Sequence, residues 1–279
     1  MTYKTIFTAI ADMDSAKAQL EQAAAMALAL DAHLDVLCIG VDRNQSGFYY
    51  GGASAVVIQE VITRAREEAE ALGKAAAELL RREGLCFTIE STVVAMGDVA
   101  RQVGLRARFA DLCVLASPYH DGQSGDQEAL IEGAIFDGAV PIYVPSGDGA
   151  ANGLPKNPML AWDESAEALA AARAALPMMK AAGCVRIVVI DPPEHGANRS
   201  DPGGVLSQYL SRHGIRCEID VLGKSLPRVA DVLLRHAADC AADGIIMGAY
   251  GHSRLREAIF GGATRDMLGS GAVPLIMAH

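Results

Sequence analysis

Short apolar runs alternate with longer amphipathic or alanine-rich stretches along the whole chain. The runs 36–39, 185–190 and 245–247 are almost uninterrupted in apolar character, as is typical of strands that helices cover on both faces. The alternation predicts two open, parallel, doubly wound α/β sheets. The predicted strands lie at 4–11, 34–41, 86–95, 111–116, 140–144, 158–162, 184–190, 215–222, 244–248 and 273–278. The predicted helices lie at 15–30, 54–83, 98–109, 126–137, 165–182, 202–213, 226–241 and 262–269.

The two halves of the chain repeat the same order of motifs. Ile6–Asp12 corresponds to Met159–Asp163, since each is an apolar strand that ends in a carboxylate. A repeat of about 130–150 residues is too long for a solenoid and indicates a duplicated domain. Residues 145–155 are rich in Gly, Pro and small polar side chains, which predicts a linker. We therefore expect two domains, 1–147 and 156–279.

Composition places the chain among ordinary globular proteins. A hydrophobic fraction of 51%, a charged fraction of 21% and a mean hydropathy of +0.20 exclude a disordered, collagen-like or coiled-coil chain. No apolar run reaches the roughly 18 residues of a membrane span. The first residues do not read as a secretory leader, so we expect a cytoplasmic protein.

The acidic excess lies entirely in the first half of the chain. Residues 1–150 contain 11 Lys and Arg against 21 Asp and Glu, whereas residues 151–279 contain 13 of each. Neither half offers a basic stripe to a polyanion. We therefore expect no binding to nucleic acid or to an anionic membrane.

Six cysteines are present without a Cys-x-x-Cys motif or a Cys/His cluster. Most of them fall inside apolar runs, which favours reduced thiols in the core over disulfides. We expect no metal site on these grounds.

The fourth strand of the second half runs into a loop with Gly-x2-Gly-x9-Gly-Gly spacing, from Gly248 to Gly262. Glycines let the main chain approach a phosphate closely, and the first amides of a helix beginning at Gly262 would point at the anion. The loop also follows the carboxyl end of a strand, where open α/β sheets bind ligands. The candidate contacts are Gly248, Gly251, His252, Arg254, Gly261, Gly262, Ala263 and Thr264. The same glycines would also suit tight turns around a strand–helix joint, and spacing alone leaves both interpretations open.

This loop, the Ala-Val-Pro strand behind it and the early run Ala161–Ser165 resemble the universal stress protein family in its tandem, two-domain form. The resemblance implies Rossmann-like domains with five parallel strands and helices on both faces. In one branch of the family it implies binding of ATP or another adenine nucleotide, with magnesium as a candidate companion. The loop glycines would then meet the phosphates, and Asp163 would lie near the adenosine. That branch usually has Ser or Thr where this chain has Gly262, and the lost hydrogen bond is worth about 0.5–1.5 kcal/mol.

The first copy lacks all three motif glycines. Its equivalent stretch, 116–120, reads Ala-Ser-Pro-Tyr-His, and the acidic Asp126 and Glu128 follow. We predict that this domain binds no nucleotide. The resemblance implies that it pairs with the second domain through strands 140–144 and 273–278, and it leaves a homodimer of the whole chain open.

No catalytic motif accompanies the glycine loop. The chain has no Gly-x-Ser-x-Gly elbow, Walker phosphate loop or His-Glu-x-x-His motif, and no lysine is positioned for fast ATP hydrolysis. The leading hypothesis is a stress-response or signalling protein that binds an adenine nucleotide in its second domain without fast turnover. Two alternatives stay open: an interaction or scaffold protein that binds no nucleotide, and a slow ATP hydrolase.

Overall fold

The computed structural model describes residues 2–43, 55–119, 126–147, 153–192, 201–250 and 262–279. Helices and strands alternate throughout these ranges, as the apolar runs predict. The chain divides into two compact units, Tyr3–Val140 and Pro141–His279. We call them the first unit and the second unit.

The first unit contains a parallel sheet with the strand order β3-β2-β1-β4. Its strands are β1 (Thr5–Ile10), β2 (His33–Asp42), β3 (Phe87–Ala95) and β4 (Leu112–Val114). Its helices are α1 (Met13–Leu30), α2 (Ala55–Leu80), α3 (Val99–Ala107) and α4 (Asp126–Glu132). Strands β1, β2 and β4 are almost wholly buried because helices pack on them, which explains their unbroken apolar character.

Two glycines let α3 and α4 cross at close range. A Cβ on Gly104 of α3 would overlap with Asp137, and a Cβ on Gly133 would overlap with the backbone of Ala100. Gly133 begins a five-residue π-helical turn that continues α4. The helix predicted at 126–137 is therefore present, with a wider last turn.

The second unit contains a sheet with the strand order β5-β10-β9-β6-β7-β8. Its strands are β5 (Ile142–Val144), β6 (Pro158–Ala161), β7 (Val185–Ile190), β8 (Cys217–Leu222), β9 (Gly244–Gly248) and β10 (Leu275–Ala278). Its helices are α5 (Ala166–Ala174), α6 (Leu176–Ala181), α7 (Gly204–Arg212), α8 (Val229–Asp239) and α9 (Gly262–Ser270).

Strand β5 departs from the predicted five-stranded, all-parallel pattern. Strands β6 to β10 run parallel to their neighbours, whereas β5 runs antiparallel to β10, with Leu275 opposite Val144 and Met277 opposite Ile142. Because β5 is grouped with the second unit, the described part of the first unit holds four strands. Pairing with β5 covers a strand edge of β10 that would otherwise expose main-chain hydrogen-bonding groups.

The helix predicted at 165–182 is two helices. Helix α5 ends at Ala174, and α6 begins at Leu176 after Ala175, whose φ of −83° and ψ of 1° depart from the helical conformation. Pro177 lies in the first turn of α6, where its missing N–H costs no helical hydrogen bond. An uninterrupted helix would have lost that bond and met a steric clash, so the helix breaks at Ala175, two residues before Pro177.

All six cysteines are free thiols, and two of them, Cys38 and Cys113, are buried. Cys86 is exposed and the other three are half-buried, so the expectation that most thiols lie in the core is wrong. Cys86 and Cys184 directly precede β3 and β7, Cys217 begins β8, and Cys240 caps the end of α8. Within the described ranges, no helix is long and apolar enough to cross a membrane.

Candidate functional site

The candidate site lies at the carboxyl ends of β6 and β9, which are neighbouring parallel strands. Strand order in the second unit reverses between them, because the chain goes from β6 outward to β7 and β8 and then returns to β9. Such a switch point opens a crevice where open α/β sheets bind ligands. Asp163 follows β6 and Gly248 ends β9, so these two predicted site residues reach the same sheet edge.

Most of the glycine loop, residues 251–261, lies outside the residues that the structure describes. Gly251, His252, Arg254 and Gly261 lie outside the described residues, so their predicted roles stay predictions. The structure describes the loop only up to Tyr250 and again from Gly262 onward.

Gly248 has a packing reason for its missing side chain. A Cβ at this position would come within 2.6 Å of the Ala168 amide nitrogen and 2.8 Å of the Glu167 carbonyl carbon. These are backbone atoms of the first turn of α5, and they cannot move aside cheaply. Gly248 therefore lets α5 begin directly against the end of β9, whatever ligand binds there.

Asp163 organises the start of α5 through Ser165. Its Oδ1 accepts hydrogen bonds from the Ser165 amide at 3.0 Å and from the Ser165 hydroxyl at 2.6 Å. The Ser165 hydroxyl oxygen in turn accepts the Ala168 amide at 3.1 Å, so Ser165 is the N-cap. Asp163 therefore orients the capping residue, and its side chain is exposed.

Helix α9 begins at Gly262, as the loop spacing predicts. Gly262 is exposed, and a Cβ there would meet no atom of the described residues within 4 Å. Ala263 is half-buried, and Thr264 is 4% exposed. The first turn of α9 therefore has exposed main chain at Gly262 and packs inward at Thr264.

Thr264 joins the two described ends of the loop. Its Oγ1 accepts a hydrogen bond from the Tyr250 amide at 3.4 Å. Tyr250 is buried with a φ of +65°, and the His279 ring nitrogen Nδ1 lies 3.0 Å from the carbonyl oxygen of the preceding Ala249. The sequence analysis did not include Tyr250 or His279 among the candidate contacts, because neither belongs to the Gly-x2-Gly-x9-Gly-Gly pattern or to the residues that directly follow its glycines.

The corresponding edge of the first unit is filled by a buried glutamine. Gln19 of α1 is 1% exposed, and its Nε2 donates to Thr8 Oγ1 at 2.6 Å and to the Ala9 carbonyl at 2.9 Å. Its Oε1 accepts the Ala116 amide, just beyond β4, at 2.9 Å. Thr8 also donates to the Val114 carbonyl at 2.8 Å. These bonds tie α1, β1 and β4 together at the switch point of the first unit.

The second unit has no such plug among its described residues. The buried face of α5 consists of alanines alone, Ala168, Ala171 and Ala172, and Leu160 of β6 stands where the strand register places Thr8 of β1. Sequence could have shown this contrast, since Gln19 interrupts an alanine-rich helix and Thr8 an apolar strand.

Asp126, the first described acidic residue after β4, is not an exposed charge. Asp126 is buried and forms an ion pair with Arg43, so its charge does not face open solvent at the helix start. Gln127 beside it is also buried. The prediction that the first domain binds no nucleotide stays a prediction, and the Gln19 contacts give it a more direct physical basis than charge repulsion does.

Comparisons with known proteins agree on one fold. No family model matches the chain. A solved universal stress protein from Archaeoglobus fulgidus superposes with a TM-score of 0.72 at 18% identity, covering 98% of this chain and 95% of that one. The chain has the universal stress protein fold. The resemblance to universal stress proteins is thereby confirmed at the level of the fold, as is the predicted α/β class.

Two further matches fit the universal stress protein fold. A structure from Pseudomonas aeruginosa assigned to the same family superposes with a TM-score of 0.61 at 13% identity, covering 99% of this chain and 93% of that one. A universal stress protein of Synechocystis is 28% identical over 98 residues, 32% of this chain. The chain matches only a third of the length of that relative.

Proposed function

We propose that this chain is a tandem universal stress protein, a stress-response or signalling protein whose second unit binds an adenine nucleotide without fast turnover. The first unit acts as its scaffold. The contrast between the two switch points carries the proposal: Gln19 fills that of the first unit, whereas in the second unit no described residue would meet a Cβ on the exposed Gly262. The resemblance of the glycine loop to the nucleotide-binding branch of the family supports the choice of ligand.

Two helices begin near the proposed phosphate position. The backbone of α5 at Ala168 approaches Gly248, and Thr264 of α9 contacts Tyr250, two residues further along. Each helix start carries a partial positive charge worth about 0.3–1 kcal/mol to a nearby anion. Together with main-chain amides these fields favour a phosphate group.

Carboxylates at the same edge argue for a companion cation. Asp163 and Glu164 are exposed, and Glu167 lies in the first turn of α5, against Gly248. Negative charges this close would weaken the binding of a free triphosphate, and a divalent cation would relieve the repulsion. We therefore expect ATP with Mg²⁺ to bind more tightly than ATP alone.

Calorimetric titration of the purified chain with ATP, with and without Mg²⁺, tests the proposal. We expect one site per chain and a rise in melting temperature with the nucleotide. Replacing Gly262 with Val should abolish that site, because the new side chain would cover the first amides of α9, and no described residue lies within 4 Å of its Cβ. Gly183→Val is the matched control, since a Cβ at Gly183 also meets nothing within 4 Å.

A gain-of-affinity variant makes the test two-sided. Gly262→Ser restores the hydroxyl that the nucleotide-binding branch usually has at this position, so it should tighten ATP binding by about two- to tenfold, one hydrogen bond's worth. Gly248 substitutions are unsuitable, because they disturb α5 and would weaken any site. Unchanged affinity in both Gly262 variants would contradict the location of the site.

The second candidate is an interaction protein that binds no nucleotide. It is favoured by the packing reason for Gly248 and by the engagement of Asp163 with Ser165, since neither feature needs a ligand. No heat and no melting shift with ATP would support it. Multiple-turnover phosphate release that Gly262→Val reduces would instead indicate a slow hydrolase.

A further inference from the structure

The second unit has a cavity beside β8, apart from the proposed nucleotide site at the ends of β6 and β9. It occupies about 320 Å³ between the end of β8 and helix α8. Strands β6 and β7 separate β8 from β9. Leu222 and Val232 form the apolar wall of the cavity. Its polar groups come from Ser225, Arg235, His236 and Asp239.

Arg235 brings a positive charge that the described chain does not neutralise. Its Nη2 donates to Ser225 Oγ at 2.6 Å, and among the described residues its guanidinium forms no ion pair with a carboxylate. Arg186 and Arg228 of the same unit are each paired with two carboxylates. Arg235 is thus held in place by a neutral hydroxyl, with guanidinium donors left to serve a ligand.

A charged network outside the cavity holds one lining residue, His236, in place. His236 Nε2 lies 2.7 Å from Asp220 Oδ2, and the same oxygen accepts a hydrogen bond from Arg186 Nη1 at 3.0 Å. Arg186 also pairs with Glu218 on the neighbouring strand. The His236 ring is therefore oriented before any ligand arrives, which lowers the entropic cost of binding.

We propose that this cavity binds a small organic oxyanion, a carboxylate or a phosphate monoester with an apolar body. Arg235 is the charged contact, because a planar guanidinium matches the oxygens of either group in a two-bond arrangement. The Ser225 hydroxyl, which accepts from Arg235, keeps its own hydrogen to donate to the anion. Leu222 and Val232 contact the apolar body. The volume suits a ligand of modest size.

The charge of Asp239 allows the sign of a change in affinity to be predicted. It lies one helical turn after Arg235 on α8 and lines the same cavity. Its carboxylate repels an oxyanion held by Arg235 and attracts a cation or a zwitterion. Removing this charge should therefore strengthen the binding of an oxyanion.

Titration of the full chain with phenyl phosphate, benzoate and inorganic phosphate, followed by amide NMR shifts at α8, tests the proposal. We expect phenyl phosphate or benzoate to shift residues of α8 with one saturable site, and their ratio distinguishes the two oxyanion classes. Inorganic phosphate, which lacks an apolar body, should bind more weakly.

Variants complete the experiment. Arg235→Gln should weaken binding at least tenfold, Arg235→Lys by less, and Asp239→Asn should tighten it two- to fivefold. Arg212→Gln is the matched control, because Arg212 is an exposed arginine that contacts only Gln208 through its side chain in the described chain. Gly262→Val should leave this binding unchanged, which separates it from the nucleotide site. Absence of shifts at 10 mM probe, or weaker binding in Asp239→Asn, would overturn the proposal.

Discussion

At the scale of single residues, Gln19 is the side chain on which the first switch point depends. It donates to Thr8 and Ala9, and it accepts from Ala116, so one buried amide joins a helix to two strands. Inside a protein such bonds are strong, and a group left without a partner there costs about 1–3 kcal/mol.

Gln19→Ala should therefore lower the free energy of unfolding by about 2–4 kcal/mol, because it strands the Ala116 amide and leaves a cavity. Urea denaturation measures the change. Gln208→Ala removes an exposed glutamine of α7 and should cost less than about 0.5 kcal/mol. Equal effects of the two substitutions would mean that the network contributes nothing.

Single residues were also where sequence reasoning reached its limits. Gly248 was correctly placed at the end of β9, yet its proximity to Ala168 depends on how α5 packs, which no local pattern encodes. The start of α9 at Gly262 was predicted from spacing, because a helix start has a local signature. The hydrogen bond from Tyr250 to Thr264 spans 14 residues and could not be predicted.

At the scale of elements, the crossing of α3 and α4 depends on glycines that replace side chains with backbone contact. A Cβ on Gly133 would overlap the backbone of Ala100, and backbone atoms cannot swing away as side chains do. The same positions read from sequence as ordinary helix interior, where alanine is preferred to glycine by about 1 kcal/mol. For a Gly→Ala substitution at these positions, packing therefore predicts a lower free energy of unfolding, whereas helix propensity predicts a higher one.

Gly133→Ala decides between them. We expect a loss of about 1–3 kcal/mol in the free energy of unfolding, since overpacking outweighs the gain in helix propensity. Gly97→Ala is the matched control, because Gly97 is helical and a Cβ there meets nothing within 4 Å. Thermal and urea unfolding of both variants provide the measurement, and a stabilised Gly133→Ala protein would show that the helices can move apart freely.

Elements were predicted well where periodicity is strong and poorly where tertiary pairing decides. The strands predicted at 34–41 and 184–190 were placed to within one residue at each end, because long buried runs have no competing interpretation. The orientation of β5 was missed. A strand of three residues carries no signal for parallel or antiparallel pairing, and its partner β10 lies more than a hundred residues away.

At the scale of the whole molecule, the repeat in sequence indicated two similar units, and each has a parallel-dominated sheet with helices packed on it. Similar apolar patterns produce the same fold, whereas chemistry at the switch points differs because buried polar groups are few and individually placed. The apolar pattern therefore predicts the fold, whereas the chemistry at the switch points depends on a few individually placed polar residues.

Buried thiols make the stability of the whole chain sensitive to alkaline pH. Burial raises the pKa of Cys38 to about 12 and that of Cys113 still further. Unfolded thiols lose their protons near pH 8.5. Above that pH the unfolded chain binds fewer protons than the folded chain, so the free energy of unfolding falls as pH rises. Each thiol contributes about 1.4 kcal/mol per pH unit between its two pKa values.

Cys38→Ala should therefore flatten the decline between pH 9 and pH 11 by about 1.4 kcal/mol per unit, even if the variant is less stable at pH 7. Urea denaturation in a reducing buffer at several pH values measures the slope. Cys86→Ala is the control substitution, because Cys86 is exposed whereas Cys38 is buried. A slope that is identical in all three proteins would mean that the core around Cys38 admits water or a counter-charge when the thiol ionises, so that burial no longer holds the proton.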